Sequence, residues 1–263
     1  MAVVKKTEGE VVAFDATAFE SFAGEGLEEV TADDLAIPFL RILAQLSPQV
    51  NKRDGAYVNG AEAGMIYNTV SNEVYDGEQG ISVVPCYFNR RFIEWQPRSS
   101  GGGFVGTHSP DDEIVKTTVK NDRGEDILPN GNLLTNTAQF YVIMPHEGAL
   151  HKCIITMSST QLKKSRRWLA LQASFQGKRK DGTMFNLPSF SQMYRLKTVA
   201  ESNDKGDWFG WDITHDRQLA AGGGQPDEAL FLQCVDFKKA CAAGDVQAKE
   251  TAAPVAGNDE APF

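Results

Sequence analysis

Apolar positions in this chain recur mostly at every second residue, in runs broken by Gly, Pro, Asn and Asp, the pattern of strands joined by turns. GMIYNTV from Gly64 and ISVVPCYFNRRFIEW from Ile81 are rich in β-branched and aromatic residues, with a turn between them around Asp76-Gly77. Pro85, inside the second run, predicts an edge position or a bulge. AQFYVIM and ALHKCIITM, joined by PHEG, predict a hairpin, and SFSQMYRLKTVAE with GDWFGWDI predicts another across SNDK. The Gly101 to Gly103 run and the polar stretch 109–136 read as flexible insertions able to fold over a ligand.

Helical spacing is confined to three places. Phe39, Ile42, Leu43 and Leu46 in IPFLRILAQL predict a short helix with Pro38 in its first turn. Ser159 or Thr160 is placed to cap a second helix reaching about Phe175, with Leu162, Trp168, Leu169, Leu171 and Phe175 on its buried side. The third, PDEALFLQCVDFKKACAAG, starts at Pro226 and sets Leu230, Cys234, Phe237 and Cys241 on an apolar stripe. Gly222 to Gly224 read as the hinge before it; without a GKS or GKT continuation they do not make a phosphate loop.

Several strands, one helix and two more strands is the order of an OB-fold. The expectation is therefore a mainly β protein with few helices, an OB-fold-like barrel with long insertions. It would carry an acidic flexible N-terminal arm (1–34), a core (35–243) and a disordered acidic C-terminal tail (244–263). A length of 263 residues suits one domain with tails. No apolar run approaches the roughly 18 residues that cross a bilayer, and no apolar stretch backs Lys5 and Lys6, so a cytoplasmic protein without membrane contact is expected. Cys86, Cys153, Cys234 and Cys241 form no CxxC pair and read as reduced, buried thiols.

Charge divides the chain into zones. The net charge is −9, yet residues 1–36 hold −7 and residues 225–263 hold −4, leaving the core at +2. Residues 151–180 contain Lys152, Lys163, Lys164, Arg166, Arg167, Lys178, Arg179 and Lys180 without one Asp or Glu. A solvated face usually mixes the two signs, so this segment points to an anionic partner whose phosphates it would neutralise.

Rings stand beside these cations. Tyr87, Phe88, Arg90, Arg91, Phe92 and Trp95 interleave on one strand, and Trp168 follows Arg166 and Arg167. A single strand of DNA offers phosphates to cations and bare base faces to rings. The candidate DNA-binding residues are thus Arg90, Arg91, Phe92, Trp95, Lys163, Lys164, Arg166, Arg167, Trp168, Lys178, Arg179 and Lys180. Core packing is the alternative for each ring: Trp168 is equally placed to anchor its helix, and the same holds for Trp208, Phe209 and Trp211. An OB-fold helix normally plugs the barrel end, which speaks against DNA on Lys163 to Arg167.

After Gly244 the chain is rich in Ala, Gly and Pro and closes on Asp259, Glu260, Ala261, Pro262 and Phe263. This ending resembles that of bacterial and bacteriophage single-stranded DNA-binding proteins, which join an OB-fold to a linker and an acidic tip finishing in Pro-Phe or Phe. IPFLRILAQLSP and GMIYNT are similar to segments of phage proteins of that kind. The resemblance implies sequence-independent binding and protection of single-stranded DNA in phage replication, recombination and repair. It also implies that Asp259, Glu260, Pro262 and Phe263 dock on a polymerase, helicase, primase or nuclease. Ala261 departs from the usual isoleucine, and the acidic run is shorter.

No enzyme constellation stands out, and no cofactor or metal is called for. His108 with Asp111, Asp112 and Glu113 reads as a solvated turn, the remaining histidines lack ligand spacing, and no GxSxG is present. A strand-annealing recombination mediator, a homo-oligomer on DNA, and a phage structural protein binding packaged DNA remain the alternatives.

Overall fold

A computed structural model describes residues 16–23, 25–30, 36–204, 206–246 and 248. The chain divides into two compact units, residues 1–35 and 36–263. In the first, Ala16–Phe22 forms a 3-10 helix.

The second unit opens with short strands β1 (Leu40–Ile42), β2 (Ile66–Asn68) and β3 (Val74–Tyr75), then the long β4 (Ile81–Gln96). An insertion carries β5 (Gly103–His108), β6 (Val119–Lys120) and β7 (Asp126–Ile127). The hairpin β8 (Leu133–His146) and β9 (Ala149–Ser158) leads into helix α1 (Leu162–Ala173). A small hairpin, β10 (Gln176–Lys178) and β11 (Met184–Asn186), precedes the long hairpin β12 (Gln192–Asn203) and β13 (Gly206–Gln218). Helix α2 (Glu228–Ala243) follows and stops at Gly244, whose left-handed φ of 87° suits glycine.

The principal strands lie in the order β13-β12-β4-β8, with β9 on the free side of β8. Along the chain that is three strands, α1, then two strands, with β4 at the centre pairing to β8 and to β12. The sheet curls into an OB-like half-barrel. Register shifts between Pro85 and Tyr87, Glu94 and Trp95, and Met193 and Tyr194 supply bends. Pro85 thus sits at a bulge. A closed barrel would pair β9 with β13, but here the edge of β9 is met by the segment before β1: Ile154 N donates to Pro38 O at 2.9 Å, and Phe39 bridges Ile154 in parallel.

Both faces of the sheet are covered. Phe140, Val142 and Met144 pack with Trp168 of α1, whereas Tyr141 and Ile143 pack with Leu230, Cys234 and Phe237 of α2. Successive residues on a strand face opposite ways, so a strand covered on both sides needs an unbroken apolar run, which AQFYVIM provides. Each such fully buried large side chain stabilises the fold by about 1.5–3 kcal/mol. The four cysteines are buried and unpaired, and burial pushes the Cys153 thiol up to about 12.

The three-stranded sheet β1-β2-β3 is fastened to the β12–β13 hairpin through Thr198. Its N–H donates to Gly77 O at 2.9 Å and its Oγ1 to Gly64 O at 2.5 Å. A Cβ at Gly77 would overlap the Gly64 carbonyl oxygen and the Thr198 hydroxyl, and one at Gly64 would fall 2.8 Å from the Phe209 ring.

Four expectations are corrected. IPFLRILAQL holds a short strand followed by a turn: Leu40, Arg41 and Ile42 pair with Asn68, Tyr67 and Ile66, and Leu43 N bonds to Met65 O. Long-range pairing to β2 and β9 overrides the helical spacing, and Leu46 is left exposed. Stretch 109–136 is not a plain loop, since it contains a 3-10 turn at Glu113–Thr117, β6, β7 and the start of β8. A 3-10 turn at Ser159–Gln161 precedes α1, so the N-cap position falls on Gln161, which makes no capping side-chain bond, rather than on Ser159 or Thr160. The core also runs past Gly244, because Val246 and Ala248 pack beside Phe237 and Ala248 N donates to Tyr141 Oη at 3.3 Å. The rest of the expected tail, residues 249–263, lies outside the described residues.

Candidate functional site

Helix α1 divides its residues by the turn of about 100° per residue. Ser165, Trp168 and Gln172 point inward and are buried, while Lys163, Arg166 and Arg167 form an exposed stripe. Trp168 is 1% exposed; its ring stacks on Phe140 at 4.3 Å and meets Tyr194 edge-on at 5.6 Å. Its expected stacking on DNA is corrected: the ring is a core anchor, and no base reaches it while α1 is seated.

Lys164 is half-buried and held in an ion pair with Glu201. Glu201 accepts further hydrogen bonds from Trp208 Nε1 at 2.8 Å and Gln161 Nε2 at 3.2 Å, and Gln161 Oε1 accepts from Trp211 N at 3.0 Å. Burial raises the Glu201 carboxyl, but the Lys164, Trp208 and Gln161 contacts outweigh it and hold the pKa below the usual value. A side chain at Gly210 would strike Gln161, Glu201 and Lys164. This knot fastens the start of α1 to the β12–β13 hairpin.

Beyond α1 the chain forms the β10–β11 hairpin, with Gln176, Gly177 and Lys178 opposite Asn186, Phe185 and Met184. Arg179 N donates to Thr183 O at 2.8 Å and Gly182 N to Arg179 O at 3.0 Å, closing the turn. Lys178, Arg179, Lys180 and Met184 are exposed. The Arg179 guanidinium lies over the Phe185 ring, 4.9 Å from its centroid. Asp181, the acid of this tip, is engaged by Thr183 N at 2.9 Å and Thr183 Oγ1 at 2.7 Å, and these bonds hold its pKa below the usual value. Among the described residues, Lys163, Arg166, Arg167, Lys178, Arg179 and Lys180 have no carboxylate partner.

The β4 candidates separate. Arg90 lies in the row Arg90, Ala138, Met157 on the face that α1 covers, and its Nη1 donates to Asn136 Oδ1 at 2.9 Å. Arg91, one residue on, faces the other way and donates to Arg90 O at 3.2 Å. Phe92 is half-buried opposite Asn136 and His108. Trp95 is 6% exposed and edge-on to Phe104 at 5.8 Å, so its expected base contact is likewise corrected to core packing. Phe209 is half-buried and Trp211 is buried in the α1-side core. Asp259, Glu260, Pro262 and Phe263 lie outside the described residues.

Glu94 is a buried carboxylate that the sequence reading missed. Its Oε1 accepts from Asn132 Nδ2 at 2.6 Å and Asn130 Nδ2 at 3.0 Å, and its Oε2 meets His108 Nε2 at 2.8 Å. These contacts hold the insertion to β4. Burial raises the carboxyl, but Asn132, Asn130 and His108 together bring its pKa below the usual value. Asp112 closes a local turn by accepting from Ser109 N at 2.7 Å. Among the described residues no group of three or more His, Cys, Asp or Glu is arranged to hold a metal ion, and no helix is long and apolar enough to cross a membrane.

The family model described as Pam3 phage gp34-like protein matches residues 6–247, nearly the whole chain. The chain belongs to that phage family. The match takes in the basic stripe, the β10–β11 hairpin and the Glu94 network, and ends before the acidic tip. No curated protein and no solved structure matches this chain.

The β10–β11 hairpin was also missed from sequence, although Asp181-Gly182 between short alternating segments is a hairpin signal. Gly182 takes a φ of 88° there, a conformation that favours glycine.

Proposed function

We propose that this phage-family protein binds single-stranded DNA without regard to sequence, protecting it during replication, recombination and repair, and performs no reaction on it. The observation that carries the reading is the run of six cations, Lys163, Arg166, Arg167, Lys178, Arg179 and Lys180. They are exposed on one helix stripe and the hairpin next to it, and none has a carboxylate partner among the described residues. Unpaired cations keep their full attraction for phosphate, and each phosphate contact releases counterions. The OB-like half-barrel supports the reading, because barrels of that type frequently serve as oligonucleotide platforms. In the same proposal, Asp259 to Phe263 recruit a replication protein.

The test is a titration against matched single-stranded DNA, duplex and RNA oligonucleotides at two salt concentrations. Single-stranded DNA is expected to bind at least about tenfold more tightly than duplex, with affinity falling steeply as salt rises. Equal affinity for duplex, or a flat salt response, defeats the proposal.

A further inference from the structure

With Trp95 and Trp168 buried in the core, a preference for single strands needs another flat surface that can meet an unpaired base. We infer that Arg179 is that surface: a preformed stacking platform for a nucleobase, an assignment that rests on the single-strand reading above. Its guanidinium lies over the Phe185 ring at 4.9 Å, and its Nη1 donates to Thr183 Oγ1 and to Met184 O, both at 3.3 Å. A ring beneath and two acceptors at the edge fix a plane that a free arginine would have to find on binding. The cost of ordering it is met before any ligand arrives.

The sequence makes room for this plane. Phe185 stands opposite Gly177, and a Cβ at Gly177 would fall 2.7 Å from both Cε1 and Cζ of the ring. Only the missing side chain lets the ring lie against the neighbouring strand and support the guanidinium. Arg179 is exposed, so a base can stack on the guanidinium in turn, while Lys178 and Lys180 on either side reach the flanking phosphates. Asp181 does not compete, since its carboxylate is bound within the turn by Thr183. Phe185 acts as a positioning residue and Arg179 makes the contact.

The experiment compares a DNA strand of about 15 nucleotides, within the site sizes usual for one OB-type domain, with the same strand made abasic throughout. Wild-type protein is expected to favour the normal strand. Arg179→Lys keeps the charge and loses the plane, so it should weaken binding to the normal strand about tenfold and leave the abasic strand unchanged. Phe185→Leu should follow the same pattern, with circular dichroism confirming that both variants are folded. Wild-type protein binding both strands alike, or either variant losing affinity for both strands equally or for neither, overturns the platform while leaving phosphate binding intact. Failure of the wild-type protein to bind either strand overturns the platform together with the reading beneath it.

Discussion

Trp168 stacks on Phe140 with ring centroids 4.3 Å apart and planes 28° from parallel, which joins α1 to the middle of β8. Arg166 and Arg167, adjacent to the tryptophan in sequence, face solvent. One helix thus anchors the core with one side and offers charge with the other. Trp168→Ala should cost about 3–5 kcal/mol of stability in urea denaturation. Trp168→Phe, which keeps a ring in place, should fold and bind DNA with wild-type affinity; a specific loss of binding in that folded variant would return the tryptophan to the interface.

The exposed stripe can be counted by salt. On the proposed reading, replacing Lys163, Arg166 and Arg167 together with alanine removes three phosphate contacts, each contributing about 0.7 to the slope of log K against log salt for a single strand. The slope should shrink by about 2 while thermal unfolding stays close to wild type. Lys164→Ala should do the reverse, lowering stability through the loss of its pair with Glu201 and barely moving the slope.

Glu94 sets an acid limit on the fold. Its folded-state pKa lies below the unfolded value of about 4.3, so its contribution is present in full above that pH and fades as pH falls through the folded value. Glu94→Gln should lower stability at pH 7 by about 1.5–3 kcal/mol, since bonds to a charged acceptor are being weakened. The gap between variant and wild type should narrow as the pH falls below the unfolded value and through the lower folded one. A gap that stays constant across the titration would mean that the carboxylate's charge is not what holds Asn130, Asn132 and His108.

Gly77 lies where the small sheet meets the β12–β13 hairpin, with no room for a side chain. Gly77→Ala should destabilise by about 1–3 kcal/mol through overlap with the Gly64 carbonyl and Thr198. Differential scanning calorimetry measures this directly; a neutral effect would show that the junction yields.

On the proposed reading, in which the acidic tip competes with phosphate for the basic segment, removal of the last eight residues should leave DNA binding intact or raise it slightly at low salt. The same truncation should abolish co-purification with replication enzymes. Loss of DNA binding instead would make the tip part of the site.

Much of the fold was legible because hairpins announce themselves locally. PHEG and SNDK each sit between apolar runs, and Leu230, Cys234, Phe237 and Cys241 fall on the buried stripe of α2 as their spacing requires. The segment after Pro38 was not, since apolar residues at 39, 42, 43 and 46 fit a helix as well as a strand followed by a turn. What decides is pairing with Ile66 to Asn68 and with Ile154, partners that local spacing does not register. At the site, the cations were visible as composition, but their availability was not. Lys164 and Arg167 look alike in sequence, and only a carboxylate 37 residues downstream of Lys164, at Glu201, separates them. Trp168 misled for a related reason: a ring beside Arg167 in sequence stands about 100° around the helix from it in space.

The central position of β4 has a consequence for synthesis. Its start pairs with Tyr194 to Leu196, and the Arg195 side chain reaches back across 115 residues to Gly80 O. At about 5–20 residues per second, a ribosome takes roughly 6–23 s to make the stretch between them. Until β12 has been made, the Ile81–Val83 end of β4 keeps an unpaired edge, which neither β5 nor β8 covers and which is open to a neighbouring nascent chain. Production at high level, where many ribosomes crowd one message, is therefore the condition under which this protein is most exposed to strand exchange between copies.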